Sequence, residues 1–104
     1  MSFVLVDILP LKPGATLEEA VAYFDGLKPV FERHGLQRLD QPLRAEKALR
    51  GAVPANLVNL FQTADPESSL KGMSEDPEYQ SQMARRDQLF DLEQATILLT
   101  ARMS

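Results

Sequence analysis

The alternation of apolar and polar positions divides the chain into strands and helices. The stretch "FVLVDIL" (3–9) is dense in β-branched and large apolar residues and predicts a strand. The cluster "PLKPG" (10–14) breaks it. A helix then opens at "TLEE", where Thr16 and Glu19 have the spacing of a capping box. Apolar residues recur at Leu17, Ala20, Val21, Phe24, Leu27 and Phe31, which is a helical stripe, and Gly35 is placed to end it.

The segment 36–46 alternates weakly, and Pro42 restricts it to a sheet edge. A loop over 47–55 leads to a second strong strand, "NLVNLFQT" (56–63). The signature Asp-Pro-Glu then occurs twice, at 65–67 and 76–78. Each copy suits a helix start, with Asp as N-cap, Pro in the first helical position and Glu next to the positive end of the helix dipole. Helices over 66–72 and 77–90 follow, and "ATILLTARM" (95–103) is the last strand. The order β-α-β-β-α-β is the ferredoxin-like plan: an α+β fold with a four-stranded antiparallel sheet, in one domain spanning 1–104.

In that plan both helices cover one face of the sheet, and the first and third strands are central. Both of these strands are apolar on both faces. Val4, Val6, Ile8, Val58 and Leu60 share one phase, which no polar residue interrupts. The other phase holds Phe3, Leu5, Leu9, Leu57 and Phe61, interrupted by Asp7 and Asn59. The interrupted face suits the helices, which also bring polar groups inward. The clean face needs a second cover. Burying some five such side chains, at roughly 1.5–3 kcal/mol each, favours a homodimer packed sheet to sheet.

The element order, the "LKPG" turn and the "DPEYQSQ…R" helix resemble the dimeric α+β barrel superfamily over nearly the whole chain. Within it, Tyr79, Gln80 and Arg86 resemble small bacterial families of unknown function. "DPEYQ" also resembles NIPSNAP-like proteins. Antibiotic biosynthesis monooxygenases, haem-degrading monooxygenases and small-molecule isomerases are further members, so the fold alone chooses no activity. The resemblance implies a ligand cleft between sheet and helices, with the polar residue of the first strand, here Asp7, pointing into it. Haem-degrading members use a Trp and a His near the second helix. This chain has no Trp, and its one His lies elsewhere.

Candidate chemistry follows from polar residues on apolar faces. Arg86 continues the line of Tyr79 and Met83. It is either a structural arginine paired with Asp7 or another carboxylate, or a guanidinium that clamps an anionic ligand. Asp7 is a candidate general base if burial raises its pKa. His34 is a candidate proton shuttle, or simply a favourable residue at a helix C-terminus. Asn59, Tyr23 and Tyr79 are candidate ligand contacts, the tyrosines packing half-buried with hydroxyls free.

Charge and composition narrow the partners. A net charge of −4 and a pI of 4.9 argue against nucleic acid or anionic membrane as a partner. The basic residues Arg44, Lys47 and Arg50 cluster but are interrupted by Glu46, which suits a solvated loop better than an anion site. With no cysteine there is no disulfide, thiol nucleophile or thiolate-held metal, and one histidine makes a metal site improbable. No glycine-rich phosphate loop is present. The expectation is a cytoplasmic homodimer that binds or transforms a small organic acid or aromatic without a cofactor. A non-catalytic dimeric module and a monooxygenase-like enzyme are the alternatives.

Overall fold

A computed structural model describes residues 2–103. Its elements in chain order are β1 (Phe3–Leu9), α1 (Leu17–Arg33), β2 (Gln37–Arg38), β3 (Leu43–Arg44), β4 (Leu57–Thr63), α2 (Pro66–Glu75), α3 (Pro77–Ser81), α4 (Met83–Leu89) and β5 (Thr96–Ala101). The sheet is antiparallel, with order β2-β4-β1-β5 and with β3 also paired to β4. It is the ferredoxin-like α+β arrangement, open at both edges.

The expected four strands become five because the edge segment splits. Gln37 pairs with Gln62 and Leu43 with Val58, while Asp40–Pro42 between them leaves the ladder. Pro42 has no N–H to donate, so the ladder is interrupted there.

The face assignment holds. Leu5, Leu9, Leu57 and Phe61 are buried under the helices with Phe24, Leu27, Phe31, Met73, Leu89 and Phe90. The opposite phase is only partly covered. Leu43, Val58, Ile8 and Thr96 form one row across it, and Leu60, Val6 and Leu98 form the next.

The helix ends follow the sequence closely. Thr16 Oγ1 accepts from the Glu19 amide at 3.1 Å, and Glu19 Oε1 accepts from the Thr16 amide at 3.0 Å. At the other end of α1 the Leu36 N–H donates to the Phe31 carbonyl and the Gly35 N–H to that of Glu32. This Schellman pairing needs a left-handed residue, which Gly35 supplies at φ +77°.

Two helices depart from expectation. α2 runs on past Gly72 to Glu75. Gly72 serves there as a contact surface, because a Cβ on it would collide with the His34 ring at Nδ1. The expected helix 77–90 is broken at Gln82. The Ser81 hydroxyl donates to the Glu78 carbonyl at 2.6 Å, and the Gln82 N–H falls back to the Tyr79 carbonyl at 3.0 Å. A hydroxyl competing for a helix carbonyl in this way interrupts the regular ladder.

Asp65 caps α2 through Ser68, and Asp76 caps α3 through Glu78 and Tyr79. Asp65 is exposed, whereas Asp76 is buried and also holds the end of α1. Asp65→Ala should therefore cost about 1 kcal/mol, as an ordinary cap does. Asp76→Ala should lower the urea midpoint by clearly more. Equal midpoint shifts in the two variants would contradict this ranking.

Candidate functional site

A cavity of about 610 Å³ opens between the sheet and the helices. Its walls are mainly aromatic and aliphatic, including Phe24, Phe31, Phe61, Phe90, Met73 and Met83. The six polar side chains chosen from the sequence differ in how they relate to it. Asp7, Tyr23, Tyr79 and Arg86 line the cavity directly, whereas Asn59 and His34 do not.

Asp7 lies at the middle of β1, in the phase that faces the helices. Among the described residues no cation lies within 4 Å of its carboxylate. Burial without a compensating partner pushes its pKa up to about 6. Asn59 is its direct partner across the β1–β4 ladder and is only 2% exposed. The Asn59 Nδ2 finds no hydrogen-bond partner among the described residues. An unsatisfied amide beside an unpaired carboxylate is an expensive arrangement for a core.

A second polar group forms around Arg86. Its Nη1 donates to the Tyr79 hydroxyl at 3.0 Å, and its Nε donates to Asp87 Oδ1 at 3.1 Å. The guanidinium also sits 5.9 Å from the Tyr79 ring centre. Arg86 is 24% exposed, so it is neither free in water nor sealed in. The Tyr23 hydroxyl is buried with no partner among the described residues. Burial first, then the nearby Tyr79 and Asp87, hold its pKa above the ordinary range against the opposing effect of the Arg86 cation. Because Tyr79 accepts from Arg86, its own proton remains available. Arg86, Tyr79 and Tyr23 thus offer donors to one part of the cavity.

Of the two partners expected for a structural Arg86, Asp7 or another carboxylate, the structure supplies the second, Asp87. Arg86 uses Tyr79 and Asp87, and Asp7 stays unpaired. The cavity therefore has two polar regions, one built of donors and one a carboxylate.

His34 belongs to a different cluster. Its Nε2 lies 2.6 Å from Asp76 Oδ2, and Arg33 Nη1 donates to the same oxygen at 2.9 Å. These contacts, His34 first, hold the Asp76 carboxyl well below the usual range. The pairing spans 42 residues. Its sequence signal was only the capping role of Asp76, which gave no hint of a long-range partner. The cavity residues Leu70, Leu92 and Ile97 also carried no signal, because single apolar residues near element ends look alike from sequence.

Among the described residues no group of three or more His, Cys, Asp or Glu side chains is placed to hold a metal ion, and no helix is long and apolar enough to cross a membrane. No protein-family model and no curated protein matches the chain. Solved structures do match. A Rhodopseudomonas palustris protein of unknown function superposes with a TM-score of 0.76 at 19% identity, covering 99% of this chain and 83% of that one. A NIPSNAP-like domain protein from Burkholderia xenovorans gives 0.69 at 17% identity, with 99% and 86% covered. SnoaB, a cofactor-independent oxygenase from Streptomyces nogalater, gives 0.66 at 14% identity, with 99% and 95% covered. The chain thus has the ferredoxin-like α+β fold shared by the NIPSNAP-like proteins and this cofactor-independent oxygenase.

Proposed function

We propose that the chain works as a single-domain homodimer that binds a small aromatic or organic acid in the sheet–helix cavity and removes a proton from it. The observation that carries this reading is the unpaired Asp7 carboxylate in a cavity whose walls are mainly apolar. A group with a pKa near 6 is ionised at neutral pH yet basic enough to accept a proton. Arg86, Tyr79 and Tyr23 hold the anionic group of the ligand, and the aromatic walls take its rings. No cofactor is needed for proton transfer of this kind.

A purely structural role for Asp7 is disfavoured, because a buried charge without a partner destabilises a core. Arg86 already has Asp87 and Tyr79 as partners, so its ligand role rests on its place in the cavity wall. A second reading adds dioxygen. A ligand anion formed by Asp7 would pass electrons to dioxygen directly, and the likeness to a cofactor-independent oxygenase favours testing this. Oxygen uptake on addition of an accepted ligand separates it from simple proton transfer.

The dimer rests on the apolar rows Leu43–Val58–Ile8 and Leu60–Val6–Leu98, which no helix covers. Light scattering at micromolar concentration should give twice the 11.6 kDa chain mass. A monomer under those conditions would remove the sheet-to-sheet argument.

Asp7 gives a pH test. Its folded pKa of about 6 lies above the unfolded value of 3.8, so the native state binds the proton more tightly. Stability therefore falls as pH rises between those values. Asp7→Asn should match the wild type near pH 4 and exceed it near pH 8 by roughly 1–3 kcal/mol. It should also abolish turnover while keeping ligand binding. A variant less stable than wild type near pH 8 would contradict the unpaired carboxylate.

Arg86→Met keeps the stem packing and removes the donors. Its melting temperature should stay close to wild type, since no buried carboxylate loses a partner. Its affinity for benzoate, salicylate or 2-naphthoate, measured by calorimetry, should drop at least about tenfold, as loss of one charged hydrogen bond predicts. Unchanged affinity for every aromatic acid that the wild type binds would sink the donor role.

A further inference from the structure

The mouth of the cavity is lined by apolar side chains that nothing in the protomer covers. Leu70 and Leu92 are exposed there, and Ile97 is 61% exposed although it lies in the helix-facing phase beside Asp7. A sheet-to-sheet dimer would bury Leu98 and leave Ile97 open, because the two point to opposite faces. Elsewhere, the loop between β3 and β4 shows the complementary defect. Leu49 is 89% exposed, and Val53 is exposed beside it. The loop base is closed by the Ala45 N–H donating to the Asn56 carbonyl at 2.9 Å.

We infer that this loop crosses to the second copy of the chain and closes the mouth of the partner's cavity. The inference rests on the homodimer proposed above. Register supports it. Leu57 pairs with Leu9 and Thr96 with Ile8, so the loop and the start of β5 lie at the same end of the sheet, but on opposite edges. Two facing sheets related by a twofold axis along the strands bring opposite edges together and keep like ends together. The loop of one protomer then lies beside residues 91–97 of the other. A twofold axis across the strands sets β5 over β5 and leaves both mouths open.

Charge selects the first arrangement. Arg44, Lys47 and Arg50 against Glu46 give the loop and its stem a surplus of two positive charges. Asp91 and Glu93 flank Leu92 at the mouth with two negative ones. Complementary charges of this kind fix register and orientation more than affinity. Reach also suffices. Leu49 lies four residues beyond the loop base at Ala45, up to about 14 Å at full extension, whereas facing sheets are about 10 Å apart. Leu49 would then cover Leu92 and Ile97, so each cavity is completed in trans.

The chain has no cysteine, so placed thiols report contacts cleanly. The double variant Leu49→Cys with Leu92→Cys is treated with a short bismaleimide and run on a denaturing gel. The expected result is a covalent dimer that neither single variant gives. Adding Lys47→Glu with Arg50→Glu should lose the dimer band, and adding Asp91→Lys with Glu93→Lys to that variant should restore it. A link formed within one chain, or no link while light scattering still reports a dimer, would overturn the crossing and leave the proposed function standing. A monomer by light scattering would overturn the homodimer and the crossing with it.

Discussion

One carboxylate sets the position of the helical layer. Asp76 Oδ1 accepts from the first amides of α3, and Oδ2 takes His34 and Arg33 from the end of α1. The Asp76 N–H in turn closes α2 by donating to the Met73 carbonyl. Three helix ends therefore meet at a single buried residue, and Gly72 lets His34 approach closely enough to join them. Tyr79 follows Asp76 by three residues, so the donor side of the cavity inherits its position from this junction. The cavity residues do little to hold each other. The frame around them does.

That division explains why the site can remain unsatisfied. The core of Leu5, Leu9, Phe24, Phe31, Phe61 and Phe90 packs without help from Asp7, Asn59 or the Tyr23 hydroxyl. Because the frame packs without them, these polar groups can stay unpaired in the cavity, as the local rule-breaking of functional sites leads one to expect. Arg86 occupies a position where a core residue would fit, because Tyr79 and Asp87 give its guanidinium partners there.

Much of this was legible in the sequence, for local reasons. The capping box at Thr16 and Glu19, the Asp-Pro-Glu starts, Gly35 and the two phases of β1 and β4 depend on neighbours a few residues away. The same holds for placing Asp7 and Arg86 on the cavity side. What failed depended on distance or on competition. The edge strand split because residues 40–42 could not hold the ladder beside β4. The last helix broke because the Ser81 hydroxyl competes for a carbonyl, a choice that periodicity does not encode. His34 left the site because its partner lies 42 residues away.

The split edge has a further consequence, for self-assembly. β5 is a six-residue unpaired edge with Ile97, Leu98 and Leu99 exposed, which is a ready template for strand addition. If the opposite edge were a strand of equal length, β5 of one molecule would pair with it in the next. That contact is head to tail and does not close, so it would extend into filaments. β2 and β3 offer only two residues each, separated by a proline-bearing bend. The break at Pro42 thus makes the growing end of such a fibre unable to accept another copy.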